Sequence, residues 1–194
     1  MEQQDEAAYS AFVDANWRSM VRAAVFLGAR PADAEDVAQA ALIRCYAGWA
    51  KVTGADNRDA YVYRMLLNCL RDQQRTAWWR LRAPAPAEHH LDHAVSVGDA
   101  SERVGLADAV HRALGGLSSA QRDVVVLRYF VQLTEAQTAA TLGISPGTVK
   151  SRLSRSLARL SADRHILDLA PDRAAGRTSE RTSDRPSDRT GGMP

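Results

Sequence analysis

Lys150, Arg152, Arg155 and Arg159 follow one another through "GTVKSRLSRSLARL" with no acidic residue among them. Thr148 and Ser151 stand beside them. Cations bind phosphate, and hydroxyls and guanidinium groups hydrogen-bond base edges in a duplex groove. A second group lies upstream, where Arg58, Arg64, Arg71 and Arg75 surround Asn68, and Trp78 and Trp79 adjoin Arg80 and Arg82. Guanidinium for phosphate, an amide for a base edge and indole faces for stacking are what single-stranded nucleic acid requires. A third group, His89, His90 and His93 with Glu88 and Asp92, has the chemistry of metal ligands. It lies in a Pro-containing stretch without Cys or a helical frame, whereas a zinc site needs ligands held in tetrahedral geometry. Solvated histidines are the reading adopted, and no metal is expected. There is no Gly-rich phosphate loop and no nucleophile paired with a base, so neither an enzyme nor a cofactor is expected.

The first group is positioned by a recognisable pair of elements. Thr134 can cap a short helix over 134–142, in which Ala136, Ala139 and Ala140 permit close approach of a neighbour. Gly143 then stands where a left-handed residue would end that helix, a conformation glycine takes without steric cost. Ser145 is a favoured N-cap and Pro146 suits the first helical position. Val149, Leu153, Leu157 and Leu160 share one face of the second helix; Thr148, Ser151 and Arg155 project from the other, flanked by Lys150, Arg152, Ser154 and Arg159. Helix, glycine turn and capped basic helix make a helix-turn-helix, which favours duplex DNA. A helical hairpin with a solvated charged face remains the alternative at this level. For the second group the residues leave two readings equally open, a single-strand contact or an amphipathic helix whose tryptophans complete a core.

The rest of the chain reads as helix, with no period-2 strand. A first helix spans about 9–27, with Phe12, Trp17, Met20, Val21, Ala24 and Leu27 for a core. Pro31 and Asp33 start a second, "ADAEDVAQAALIRCYAGWAKV", striped by Val37, Ala41, Cys45 and Trp49, with Leu42 and Tyr46 alongside. Asp56 or Asn57 can cap a third, "RDAYVYRMLLNCLRDQQRTAWWR", with Tyr61, Met65, Leu66 and Cys69 inward. Residues 83–100 turn to Ala, Pro, His and acid, a linker. A short helix over 101–114 follows, and Ser118 or Ser119 caps the next, "AQRDVVVLRYFVQ". The tail repeats "RTSE RTSD RPSD RT" with nothing apolar to bury, so it cannot offset its ordering entropy and is expected to be disordered. The expected fold is all-α, with helical domains at 1–82 and 101–167, a flexible linker at 83–100 and a disordered tail at 168–194.

Charge agrees with two nucleic-acid contacts. The net charge of +2 announces nothing, but residues 57–82 hold 6 basic and 2 acidic residues and 101–167 hold 9 and 5. Between them, 83–100 holds 3 acidic residues and no basic one. Two positive segments flank a negative spacer. Arginine abundance alone carries little, because Lys51 and Lys150 are the only lysines, as a GC-rich genome would produce. Cys45 and Cys69 lie far apart without CxxC spacing, so no disulfide framework or zinc site is expected, which fits a reducing cytosol. The acidic start "MEQQDEAAYS" has no apolar stretch of a signal peptide, and no run approaches the roughly 18 apolar residues of a membrane span. A soluble cytoplasmic protein is expected.

"DAEDVAQAAL", then "DNRDAYVYRMLLNCLRDQQR", then "LSSAQRDVVVLRYFVQLTEAQTAATLGISPGTVKSRLSRSLARL" together resemble the bacterial extracytoplasmic-function (ECF) sigma factors, most strongly a SigE-like group of actinobacteria. The resemblance covers about 9–82 and 101–162. It implies a sigma region 2 helical bundle and a sigma region 4 helix-turn-helix, and a protein that binds core RNA polymerase and directs promoter-specific initiation. It further implies that Glu35, Asp36 and Gln39 dock on the clamp helices of the largest polymerase subunit, with region 4 at the flap of the second-largest. Ala40 stands where the family has an acid. By the same resemblance, "KVTGADN" with Tyr61, Asn68, Arg71, Asp72 and Arg75 captures a flipped base of the minus-ten element, and Thr148, Lys150, Ser151, Arg152 and Arg155 read the minus-thirty-five element. An anti-sigma partner is common in the family. Thr138 and Thr141 replace aliphatic residues, so a less stable C-terminal core is expected. The competing reading, a helix-turn-helix regulator without a sigma role, would need a phosphoacceptor domain of alternating strands and helices, which the N-terminal half does not suggest.

Overall fold

The computed structural model describes residues 3–82 and 101–163, and their side chains over 4–76 and 108–163. The spacer at 83–100, with its three histidines, and the tail from 168 lie outside the described residues. Among those described there are helices and no strand.

Helix α1 (Gln3–Leu27) begins well before residue 9. Its first turns need no buried face, because "QQDEAA" is rich in helix formers and Asp5 and Glu6 complement the positive helix end. It closes on Gly28, whose φ of +105° lets the Ala29 N–H reach back to the Ala24 carbonyl at 2.9 Å. A 3-10 turn, Pro31–Asp33, leads into α2 (Ala34–Ala47). The single second helix expected from sequence is interrupted at Gly48, and a separate short α3 (Trp49–Thr53) follows. The interruption still lets Trp49 and Val52 enter the core beside Val37, Ala41 and Cys45. There Tyr9 and Phe12 of α1 meet the Trp49 ring at centroid distances of 5.3 and 5.5 Å. Asn57 is the residue that caps α4 (Arg58–Arg82), its Oδ1 accepting the Ala60 N–H at 2.7 Å. Leu66, Leu67, Cys69 and Leu70 of α4 close the core, and Met20, Leu27, Leu66 and Leu67 are fully buried. Each such side chain contributes about 1.5–3 kcal/mol.

The C-terminal half comprises α5 (Ser101–Gly115), α6 (Ser119–Val125), α7 (Glu135–Leu142) and α8 (Pro146–Ser161). Ser118 caps α6 and Thr134 caps α7, each in a reciprocal capping box with the glutamine three residues on. Gly143 is left-handed at φ 66°, and the Ser145 side chain accepts the Thr148 N–H. α6 departs from a simple amphipathic helix. It widens into a π-helical stretch, Val126–Phe130, and ends at Gln132 with φ 63°. The five consecutive residues Asp123 to Leu127 are all buried. Val124 packs with Ala139 and Val149 inside the helix-turn-helix, while Val125, Val126 and Leu127 join the core of the N-terminal half. A helix covered on both sides has no solvent face, which accounts for "VVVL" without a polar period.

The two halves therefore share one apolar cluster, in which Leu114, Leu117, Val125, Leu127 and Leu133 meet residues of α1, α2 and α4. Phe26 of α1 stacks tilted on Phe130 at 4.4 Å. The Arg122 guanidinium lies so close to Gly28 that a Cβ there would sit 2.4 Å from its nitrogen.

Candidate nucleic-acid interface

The α8 surface divides the sequence-derived readers. Lys150, Ser151 and Arg155 are exposed. Arg155 is preorganised along its own helix: its Nε donates to the Ser151 carbonyl at 3.1 Å and its Nη2 to the Ser151 hydroxyl at 3.3 Å. The Thr148 hydroxyl is half-buried and shares a 2.9 Å hydrogen bond with that of Ser145. Arg152 was expected on the flank of the outer face, but it is half-buried and lines the cleft between the halves. The inward face also differs from expectation. Val149 is buried and Leu153 and Leu160 are half-buried, but Leu157 is 38% exposed and Ser156 is fully buried in its place. The Ser156 hydroxyl donates to the Arg152 carbonyl at 2.7 Å, which satisfies it within the helix and permits burial.

On α4, Asn68 and Arg64 are exposed and Tyr61 is half-buried. Asp72 is held between two arginines, with Arg75 at 2.8 Å and Arg44 of α2 at 3.0 Å. Its carboxylate is thus committed to orienting cations, an arrangement the linear sequence did not reveal. Arg71 donates to the Asp123 carboxylate of α6 at 3.1 Å. Asp123 is only 6% exposed, and burial pushes its carboxyl above the usual carboxylate range, opposed by the Arg71 hydrogen bond and by the charges of Arg122 and Arg152. These groups line a cleft of about 180 Å³ with Leu67 and Leu70. Trp78, Trp79, Arg80 and Arg82 belong to α4, but their side chains lie outside the described residues.

Glu35, Asp36, Gln39 and Ala40 are exposed together on the outer side of α2. The same helix exposes Ile43 (60%) and Tyr46 (43%). Sequence reading set Tyr46 beside the core and left Ile43 unassigned; the signal available was that an isoleucine one helical turn after Gln39 falls off the Val37–Cys45 stripe. Exposed apolar side chains thus adjoin the acids of α2 on its outer side. Cys45 and Cys69 are free and buried. The Cys45 thiol donates to the Met65 sulfur at 3.4 Å and is pushed up to about 11 by burial, so both helices use cysteine as a small apolar group. Among the described residues, no helix is long and apolar enough to cross a membrane.

A chain that carries an exposed arginine-lined helix in one half and a helix-turn-helix in the other has the build of a two-site promoter-reading factor. Its residues 12–80 match the family model of sigma-70 region 2 and residues 107–160 that of sigma-70 region 4. It is 37% identical over 163 residues to the RNA polymerase sigma-E factor of Streptomyces avermitilis, covering 83% of this chain and 87% of the relative. With the sigma-E factor of Streptomyces antibioticus it shares 40% identity over 141 residues, 72% of this chain and 74% of the relative. With the ECF RNA polymerase sigma factor SigM of Mycobacterium tuberculosis it shares 31% over 157 residues, 81% and 77%. Among solved structures, the fold resembles the sigma factor RpoE bound to the anti-sigma factor NepR from Bartonella quintana, with TM-score 0.62 and 24% identity over 84% of this chain and 98% of that one. CnrH in complex with the cytosolic domain of CnrY matches with TM-score 0.60 and 25% identity, over 85% and 90%. The chain belongs to the ECF sigma factors of the sigma-70 family, in the sigma-E-like group, and functions in transcription initiation.

Proposed function

We propose that the chain divides its task among three surfaces. The outer face of α2, with Glu35, Asp36 and Gln39, docks on the clamp helices of RNA polymerase, and Ile43 and Tyr46 extend that face. Tyr61, Asn68, Arg71 and Arg75 capture the minus-ten element as its strands part, while Asp72 holds Arg75 and Arg44 in place. Extruding a base costs a few kcal/mol, which stacking and a pocket must offset. Lys150, Ser151 and Arg155, with Thr148 and Arg152, read the minus-thirty-five element in the major groove. Residues 1–82 and 101–167 act as two units tied by 83–100, so each alone binds weakly and polymerase adds their affinities by holding both in register. The chain makes no covalent bonds; nucleotide chemistry belongs to the polymerase, beside which the protein works in the cytoplasm. An anti-sigma protein is the regulator to expect, since one structural neighbour is a sigma factor in complex with an anti-sigma factor.

The observation that carries this reading is the coexistence of an acidic and apolar face on α2 with basic reading faces on α4 and α8. Run-off transcription with purified core polymerase on fragments of the native genome tests it. Discrete transcripts that require the protein are expected, and duplex-specific binding without any polymerase-dependent transcript would support a plain regulator instead.

A further inference from the structure

A second cavity, of about 260 Å³, lies where the end of α1 meets α5 and α6. Its lining is apolar at Val25, Phe26 and Leu114 and basic at Arg30, His111 and Arg122. Among the described residues no carboxylate lines it. None of these residues belongs to the docking or DNA-reading surfaces. Two of the basic groups are left unsatisfied by the fold. His111 Nδ1 and Arg122 Nε are buried, and among the described residues neither has a hydrogen-bond partner. Both side chains are half-buried as a whole, so each still presents surface to the cavity. Arg30 differs, because Asp33 already accepts from its guanidinium at 2.9 Å. Buried polar groups normally find partners, and two orphans at one cavity point to a partner from outside the chain. We propose that the cavity binds a small organic acid, whose carboxylate pairs with Arg122 and His111 and whose apolar body lies on Val25, Phe26 and Leu114.

An arginine beside a helix C-terminus can also serve only to neutralise the negative end of that helix. At the end of α1, however, the Ala24 and Val25 carbonyls are already taken by the Ala29 and Gly28 N–H groups, each at 2.9 Å. A cap would bond the guanidinium, whereas here Arg122 Nε is left without a partner. Gly28 fixes where that guanidinium lies. A Cβ at residue 28 would stand 2.4 Å from Arg122 Nη2 and 2.7 Å from its Cζ, so the close approach needs glycine. A guanidinium placed in advance loses little freedom when a carboxylate arrives. Asp123 feels the charge of Arg122, but its hydrogen bond goes to Arg71. Size and lining then set the ligand class. Pockets for drug-sized molecules run to roughly 300–1,000 Å³, so this cavity takes something smaller. A bare inorganic anion would leave Val25, Phe26 and Leu114 unused, which favours an acid with an apolar body.

The test uses the full-length, isotope-labelled chain at an ionic strength held constant with chloride. Benzoate is the probe, with its neutral counterpart benzamide and inorganic phosphate as comparisons. The amide resonances of Gly28 and Gly115 and the imidazole of His111 report on the cavity. Benzoate is expected to shift them saturably in the millimolar range, as suits so small a ligand, while benzamide and phosphate leave them in place. Arg122→Met is expected to weaken benzoate by about tenfold or more, the worth of a hydrogen bond to a charged group. Arg112→Met, at the exposed neighbour of His111, is expected to bind as the parent does. Absence of a saturable benzoate shift overturns the proposal and leaves Arg122 as a cation at the end of α1. Equal weakening in both variants also overturns it, since benzoate then follows the general basic surface. Should Arg122→Met not fold, the parent chain still decides. Benzamide shifting the same resonances as strongly would mean that no acid is recognised, and phosphate doing so would mean an adventitious ion only. Either result overturns the proposal while the promoter and polymerase assignments stand.

Discussion

The hydroxyl of Thr141, on the first helix of the helix-turn-helix, donates at 3.2 Å to the carbonyl of Ala60, 81 residues away in the first turn of α4. It shares that single proton with the Gln137 carbonyl of its own helix, at 2.8 Å. A threonine that family comparison would replace by an aliphatic residue thus has a use in this chain. Its neighbour Thr138 has none: the Thr138 hydroxyl is buried without a partner. Thr141→Val is expected to lower stability by about 0.5–1.5 kcal/mol, the net worth of one hydrogen bond. Thr138→Val, with the same change of atoms, is expected to be neutral or stabilising, because it removes an unsatisfied buried polar group. Urea denaturation of both variants checks this, and an equal loss in the two would show that neither hydroxyl is used as described.

Gly28 carries a double constraint, a φ of +105° and the Arg122 guanidinium beside it. Gly28→Ala is expected to cost more than about 1 kcal/mol from the backbone term alone. Combining it with Arg122→Ala should relieve the steric part and leave the backbone part. The urea midpoints of the single and double variants form the measurement. A Gly28→Ala chain as stable as the parent would mean that the α1 terminus does not adopt this turn.

Local chemistry made much of this architecture legible, and the limits have physical causes. Asn57, Ser118, Thr134, Gly143 and Ser145 each act on backbone groups within a few residues, so their roles follow from residue type and order. The Val37, Ala41, Cys45 stripe was legible for the same reason, since one helix faces one core. α6 was not, because it is enclosed between the helix-turn-helix and the N-terminal half, and no single-face period can describe it. Arg152 and Leu157 were misplaced, and the burial of Ser156 missed, by the same cause. The face of α8 turned inward is set by its packing against α6 and α7, which residue spacing within α8 does not encode. The ion pair between Asp72 and Arg44 was not legible either, because it joins α4 to another helix.

The exposed apolar residue on α2 gives a docking test that is independent of DNA. Ile43 is 60% exposed, so Ile43→Asp should change stability by no more than about 0.5 kcal/mol. Asp36→Arg, on the same surface, should likewise leave the helix folded. Both are expected to weaken core-polymerase binding, measured by fluorescence anisotropy of the labelled chain against titrated core enzyme. Unchanged affinity in both variants would move the docking surface off α2.

Asn68 is exposed on α4 between Arg64 and Arg71 and supports no packing, so its amide is free for a base. Asn68→Ala is expected to keep core binding intact and to reduce permanganate reactivity of the unpaired thymines in the open complex. Asp72→Asn should act differently. It loosens Arg75 and Arg44 together, so its effect should depend on salt, as that of exposed ion pairs does. Normal opening by Asn68→Ala would remove that residue from the minus-ten contact.

Arg155 permits the sharpest distinction between reading and mere attraction. Among the described residues its guanidinium hydrogen-bonds Ser151 of its own helix, through the carbonyl and the hydroxyl, and it is exposed, so truncation disturbs no core. The Ser151 bonds also fix its direction before DNA arrives, which lowers the ordering entropy of binding. If it reaches a base edge, Arg155→Ala should cost about 1–3 kcal/mol and relax preference at one position of the upstream element. If it meets phosphate alone, affinity should fall on all sequences alike and the salt slope should drop by about one. The first outcome is expected, because a side chain held along the exposed face by two bonds is aimed rather than free to follow the backbone charge. Ser151→Ala should then reproduce part of the loss by releasing one of those bonds while leaving the charge in place. Promoter affinity of the polymerase holoenzyme, measured across salt and across single-base variants of the upstream element, separates the two. A uniform loss in Arg155→Ala, with no effect of Ser151→Ala, would make Arg155 a phosphate contact and leave base reading to Lys150 and its neighbours.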